Sequence, residues 1–458
     1  MLFNSNLFLF VFLPVVLVVY WLLPSIRLRK GWSIAASYVF YGAWSAKFAL
    51  LMLLTTSVDY FTAQKLEDAR REEARRGWLA LSLIVNLGVL GFFKYYNFFA
   101  GSLHRLAPGV HLPFLNVILP IGISFYTFES MSYTIDVYRR EIPAVRRFID
   151  YAHFITMFPR LIAGPIVRYK QMAEQLHSIP KAIPYENVVE AIHFFTLGLA
   201  KKVLLADSLS THLVVPLFQQ SDSLQVTSAW AAALAYAGQL YFDFSGYSDM
   251  AVGLGLLLGF RFPRNFNMPY RAENIADFWR RWHITLSSWL RDYLYIPLGG
   301  NRKGPLRTGI NVFITMLLGG LWHGANWTFV LWGAYHGFAL LLYRAGPARW
   351  PRIPRGLAVA GTFLTVVLGW VLFRSASITE ALHIYGAMIG LHGVGLLWVR
   401  THLRHVLLLT GILAIAFVGD TYSWRPPLRR RWAILQGLLL TLCITRLAAP
   451  SPFLYFQF

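Results

Sequence analysis

Thirty-six consecutive residues, Thr308 to Tyr343, contain no Lys, Arg, Asp or Glu. As one helix they would be about 54 Å long, far more than a bilayer hydrocarbon core of about 30 Å. The stretch must fold back or break. Gly319-Gly320 and Gly324 mark the expected break, because glycine adopts backbone angles that other residues resist. His323 lies beside it, within "GGLWHGANW". Counted from Arg307 at a surface, the half before the break covers only about 20 Å. That places His323 at depth, lining a cavity. An ionisable residue at depth points to function. A neutral imidazole is far cheaper there than an ammonium ion, and an ordinary pKa of about 6.5 suits proton transfer. On these residues alone, a proton-transfer group and a hydrogen-bonded structural histidine both stay open. His336, thirteen residues on, falls about 220° round a continuous helix and shares no face with His323; it reads as structural.

Uncharged runs recur along the rest of the chain, among them Gly31–Ala46, Trp78–Phe93, Leu224–Phe242, Gly356–Phe373 and Trp432–Thr445. Charged residues make up 14% of the 458 positions and hydrophobic ones 56%, against about 25% charged in a soluble chain. The chain reads as an all-α polytopic membrane protein, one integral domain over 1–458, with roughly eleven to thirteen membrane segments. Several runs are shorter than a straight span and read as tilted, re-entrant or half-length helices. Met1 to Ile26 is uncharged and reads as an uncleaved first span. No internal repeat is visible, which weighs against transporters built from repeated halves.

The net charge is +21, from 42 basic and 21 acidic residues. At this hydropathy the excess reflects cytoplasmic loops facing anionic lipid, not a nucleic-acid partner. Basic clusters at Arg27–Lys30, Lys65–Arg76 and Arg139–Arg147 alternate with connections poorer in Lys and Arg, which puts the N-terminus on the outer side. Lys65–Arg76 also holds Glu72 and Glu73 and reads as a solvated helical turn. The one cysteine, Cys443, reads as a small packing residue in a helix.

Ala272 to Gly304, "AENIADFWRRWHITLSSWLRDYLYIPLGGNRKG", is too charged to cross lipid. On a helix, Trp279, Trp282, Leu286, Trp289 and Tyr293 share one stripe, with Arg281, Ser288 and Asp292 opposite and His283 at the stripe's edge. It reads as an amphipathic helix at an interface or under a bundle, its tryptophans forming an interfacial belt in the plainer reading.

G-x-S-x-G, P-loop, H-E-x-x-H and C-x-x-C patterns are all missing, so a metal site has no sequence support. Asp243 and Asp249, in "YFDFSGYSD", would point about 120° apart on a helix and read as acceptors from Arg or backbone at a broken helix. With no plausible Ser or Cys nucleophile, His323 is left with general-base or general-acid work on an acyl group that brings its own carrier.

Longer stretches carry a resemblance: "LPIGISFYTFESMSYTIDVYR" (119–139), "FPRLIAGPIVRY" (158–169), "QLYFDFSGYSDMAVGLGLLLGF" (239–260), "NFNMPY" (265–270), "FWRRWHITLSSWLRDYLYIPLGGNR" (278–302), "MLLGGLWHGANWTFVLWGAYHG" (316–337) and the closing "FLYFQF". The sequence resembles the membrane-bound O-acyltransferase superfamily, and within it the membrane subunits that O-acetylate alginate and related bacterial exopolysaccharides. The resemblance implies a ring of tilted helices around a thin centre with a central funnel. It implies that His323 is the catalytic histidine and His283 the second active-site position, both within 271–343. Trp282, Arg280, Arg281, Trp289, Trp322 and Asn326 become candidates for holding donor or substrate, the two arginines through donor phosphates. Acetyl-CoA is the expected donor, with no bound cofactor or metal. A periplasmic acetyltransferase of the SGNH-hydrolase type is the expected partner, and the bacterial inner membrane the expected site. D-alanyl or other acyl transfer to a cell-wall polymer, and proton-coupled transport of a polymer or acyl carrier, remain the alternatives.

Overall fold

A computed structural model describes residues 1–110, 112–346, 353–424, 430–447 and 453–454. Every regular element among them is a helix. Phe453 and Leu454 of the closing motif are described; its last four residues lie outside the described residues.

The first unit comprises α1 (Leu13–Leu22), α2 (Ile26–Gly42), α3 (Ala46–Asp68), α4 (Glu72–Leu90), a π turn (Gly91–Tyr95), α5 (Tyr96–Leu106) and α6 (Ile123–Tyr138). Ser25 caps α2 by accepting from the backbone of Leu28, as short hydroxyl residues do at helix starts. Asp59 of α3 is fully buried and accepts from Ser82 at 2.6 Å and Asn86 at 2.8 Å, both on α4. A buried carboxylate needs such donors. The charged turn between α3 and α4 is only partly solvated. Arg75 folds inward and donates to the carbonyls of Leu66 and Tyr138, capping the end of α3.

Next, α7 (Tyr185–Ala200) packs along α8 (Val226–Leu257). The approach is close enough that a methyl at Gly198 would sit 2.6 Å from the carbonyl oxygen of Gly246, the small-residue contact that lets membrane helices meet backbone to backbone. The expected break around Asp243 and Asp249 does not occur: α8 runs 32 residues without interruption. The cations are lysines and not arginines. Lys202 donates to Asp243 at 2.7 Å and Lys201 to Asp249 at 2.6 Å. Thr421 and the Leu454 backbone complete the two carboxylates. A paired carboxylate needs no frayed backbone to satisfy it, so the helix continues.

The amphipathic segment is not one helix either. α9 (Ile275–Arg281) and α10 (Ile284–Leu290) are separated at Trp282-His283, and a further π turn spans Arg291–Tyr295. The tryptophans divide accordingly between two packed regions, and His283 sits in the break instead of on a stripe's edge.

α11 (Gly304–His323) and α12 (Trp327–Ala345) form the expected hairpin. The helix runs straight through Gly319-Gly320, however, and breaks only at Gly324–Asn326. Gly320 and Gly333 serve packing: a methyl at Gly320 would overlap the carbonyl of Phe329, and one at Gly333 would sit 2.5 Å from that of Met316. α11 has 20 residues and is about 30 Å long, of which the part from Arg307 to His323 covers about 24 Å against the roughly 20 Å expected. The burial of His323 therefore comes from the elements packed around its far end. α13 (Arg355–Arg374), α14 (Ile378–Met388), α15 (Leu403–Val418) and α16 (Arg430–Thr445) complete the chain. Cys443, a buried free thiol, packs within α16.

Among the described residues, two helical stretches are by themselves long and apolar enough to cross a membrane, Glu72–Leu106 and Arg355–Arg374. Phe8–Leu22 and Leu403–Val418 are shorter apolar helices. This is fewer than the eleven to thirteen segments expected. α8, buried along almost its whole length, shows one reason: a helix surrounded by other helices carries Asp, Gln and Tyr that a lipid-facing helix would not.

The apolar interior divides in two. One core gathers α1 to α4, α6, α7 and the last turns of α8 from Tyr247 with Leu286, Trp289, Tyr293 and Trp322. The other gathers α8 up to Phe244 and α13 with Trp282, Phe329, Trp332 and Phe373. The break at His283 and the hairpin turn at His323 lie on the seam between them.

Candidate active site

His323 is the last residue of α11 and is 4% exposed. Its ring meets Trp332 and Phe373 edge-on, each at 5.2 Å between centroids. Such edge contacts hold an imidazole by its sides. The helix ends there because Gly324 is extended and Asn326 caps α12, accepting from the backbone of Thr328. Asn326 also donates to the Ala376 carbonyl at 2.8 Å, so this candidate fixes the hairpin turn.

His283 lies 6.4 Å from His323 between ring centroids. It is fully buried and adopts a left-handed backbone, φ +42°. Such angles are uncommon outside glycine and persist only where the surroundings enforce them. Here the enforcing element is the segment Asn265–Tyr270. The Ile284 N–H donates to the Asn265 carbonyl and the Asn267 N–H to that of Arg281, both at 2.9 Å. The Asn265 side-chain oxygen then takes Nδ1–H of His283 at 3.1 Å and the Thr285 hydroxyl at 3.0 Å, while its amide donates to Ser248 of α8. With an oxygen accepting at Nδ1, the proton sits on Nδ1 and Nε2 is the basic nitrogen.

Two cavities reach His323. One is lined by Lys94, Gly122, Ser124, Phe125, Ile162 and Trp322. The other, about 240 Å³, is largely apolar and follows α11 from Val312 to His323, about 16 Å of helix. Trp279, Leu286, Met316 and Trp332 form its walls, and Arg291 and Arg344, both exposed, belong to its lining.

The remaining candidates scatter. Trp322 lines the first cavity. Trp289 stacks on Phe128 at 3.8 Å and donates to its carbonyl. Trp282 is buried against Phe278 and Trp370. Arg280 projects into solvent, its side chain 71% exposed, and Arg281 pairs with Asp277 at 2.8 Å. Neither arginine lines the cavities described. His336 stacks on Phe278 and meets Trp279 and Trp332 edge-on; neither of its nitrogens has a hydrogen-bond partner among the described residues. Among those residues, no group of three or more His, Cys, Asp or Glu is placed to hold a metal ion.

Sequence reasoning missed Lys94, Asn265, Arg291 and Arg344 as parts of this site. Lys94 did carry a signal, as a lone cation immediately after the apolar run Trp78–Phe93. Asn265 and Arg291 lie within the resembling stretches and Arg344 closes the uncharged run, but their roles depend on which elements fold beside them.

The arrangement puts His323 on the wall of a long apolar cavity with the buried His283 imidazole 6.4 Å away, which suits proton transfer to and from an acyl-transfer centre. The chain is 46% identical over 443 residues to the probable alginate O-acetylase AlgI of Pseudomonas aeruginosa, covering 94% of this chain and 84% of that protein. It is 44% identical to the probable alginate O-acetylase AlgI of Pseudomonas putida over the full length of both. With the peptidoglycan O-acetyltransferase of Helicobacter pylori it shares 40% identity, over 86% of this chain and 81% of that protein. A family model described as membrane-bound O-acyltransferase matches residues 34–346, a span that holds both histidines and both cavities. The chain is an acyltransferase and belongs to the membrane-bound O-acyltransferase family.

Proposed function

We propose that this protein moves an acetyl group from acetyl-CoA in the cytoplasm to a polysaccharide exported across the bacterial inner membrane. The observation that carries the reading is that His323 lies on the wall of both cavities. Arg291 and Arg344 belong to the lining of the apolar cavity, and Arg139, in a basic cluster that the loop-charge rule assigns to the cytoplasm, donates to the carbonyl of Asp292 beside Arg291. A thioester on a long neutral arm fits that lining, with the donor's phosphates held by the two arginines. The first cavity, with Lys94 and Ser124, receives the acceptor hydroxyl.

In this mechanism the acceptor oxygen attacks the thioester carbonyl as His323 takes its proton. The C–S bond breaks, the C–O bond forms, and the proton passes from His323 to the leaving thiolate. His283, held on its Nδ1 side by Asn265, orients the acyl group through Nε2. The helices form a ring around a thin centre, and the two cavities together make its funnel. The names of the relatives support an alginate- or peptidoglycan-type polymer as final acceptor. A periplasmic partner of the SGNH-hydrolase type completes delivery to it.

The test is CoA release from acetyl-CoA and polymer acetylation in membranes carrying wild type or His323→Ala. Loss of both in the mutant is expected. Undiminished activity would sink the mechanism. Transport of polymer that needs a proton gradient, with no thioester turnover in wild type, would favour a transporter.

A further inference from the structure

A helix leaves its last four carbonyls without intrahelical partners. In α11 three of these, on Leu321, Trp322 and His323, end inside the protein beside the proposed catalytic centre. All three are met from one place, the π turn Gly91–Tyr95. Tyr95 donates its hydroxyl to the Leu321 carbonyl at 2.9 Å. Lys94 donates to the carbonyl of Trp322 at 2.6 Å and to that of His323 at 3.1 Å. Its third contact is the Ser124 hydroxyl at 3.3 Å. An ammonium has three donors, and here all three are engaged within the protein. The cation also faces the negative end of the α11 dipole, where a positive charge is favoured. Beyond the break, Trp327 at the start of α12 donates to Ser102 of α5 at 3.1 Å. Both sides of the hairpin turn are thus tied to the α4–α5 unit. π turns recur at functional sites, and this one holds the turn that carries His323.

We propose that Lys94 and Tyr95 are positioning residues for His323. They fix the terminal turn of α11, and through it the imidazole, without touching the transferred group. This rests on the reading of His323 as the base. It assigns Lys94, which lines the acceptor-side cavity, to the protein backbone and not to an anionic substrate, because its donors are already committed.

The experiment uses the full chain in membranes, with acetyl-CoA as probe. CoA release gives kcat and donor KM, and deuterium uptake of the peptide covering 319–327 reports the turn itself. Lys94→Met is expected to lower kcat about thirtyfold at nearly unchanged KM and to speed exchange in that peptide. Lys94→Arg is expected to recover most of the kcat, since a guanidinium can still reach backbone carbonyls. The exposed Lys47→Met on α3 controls for loss of charge. Should Lys94→Met fail to accumulate, Tyr95→Phe carries the test: about fivefold lower kcat with faster exchange supports the anchor, and wild-type kcat with wild-type exchange overturns it. Lys94→Met at wild-type kcat, or with a loss confined to KM and no change in exchange, overturns it too. His323→Ala separates the two ideas. If it keeps wild-type turnover, the reading of the base fails and takes this proposal with it. If it is inactive while Lys94→Met and Tyr95→Phe behave as wild type, only this proposal fails.

Discussion

His323 and His283 lie 6.4 Å apart, yet the chain delivers them by opposite means. His323 ends a regular 20-residue helix, and its local sequence, two glycines before it and Gly-Ala-Asn after it, already describes a helix and its stop. His283 sits in a left-handed turn that its own neighbours do not favour. What holds it there is Asn265, eighteen residues upstream, itself braced by Ser248 of α8. One histidine is placed mainly by local rules and the other almost entirely by tertiary contacts. They should therefore respond differently to changes around them.

The largest effect is expected at the better-defined residue. His323→Ala should lower acetyl-CoA turnover by roughly 10²- to 10⁴-fold, the range of a lost general base. Retained turnover would remove His323 from the comparison. Asn265→Ala tests the other half. It leaves the His283 and Thr285 donors buried without their acceptor, so kcat should fall roughly tenfold to a hundredfold. Asn265→Asp, which keeps an acceptor, should fall less. Equal losses in the two variants would mean that Asn265 acts through something besides the hydrogen bond.

Gly320→Ala probes whether the hairpin behind His323 is as tightly specified as its packing implies. The added methyl overlaps the Phe329 carbonyl, and overpacking of this kind costs about 1–3 kcal/mol. Faster thermal inactivation is the expected readout; a wild-type inactivation rate would show that α11 and α12 separate easily. Arg344→Gln sharpens the donor side, with donor KM expected to rise about five- to tenfold and kcat to change little. Arg280→Ala should be the mildest. Its side chain is largely in solvent beside Asp277, and turnover within about twofold of wild type is expected for such a pair. A larger loss would restore it as a donor contact.

Much of this was legible in advance. The hairpin within Thr308–Tyr343 follows from helix length alone, and the position of His323 at its turn follows from the local glycines. Of the glycines that mark the expected break, Gly324 does end the helix, while Gly319-Gly320 does not, because a glycine pair reads the same whether it ends a helix or lets two helices touch. Only the opposing Gly333 and Phe329 distinguish these uses. The single amphipathic helix was drawn from a periodicity that Trp279, Trp282, Leu286 and Trp289 do obey. Nothing in that periodicity reveals that Asn265–Tyr270 pairs with the backbone on both sides of His283 and opens the helix there. The lysine partners of Asp243 and Asp249 were likewise invisible, since Lys201 and Lys202 lie some forty residues away in sequence.

By itself, then, the sequence determined an all-helical, lipid-compatible chain and the hairpin that carries His323, because hydropathy and helix geometry act over a few neighbouring residues. The tertiary structure alone decided that the two histidines lie on the seam of two cores, that one is held in a strained turn, and that Lys94 and Tyr95 close the end of α11. Those outcomes depend on buried polar groups finding partners from distant segments, and a buried donor or acceptor is satisfied by whatever lies nearest in space, which local sequence does not encode.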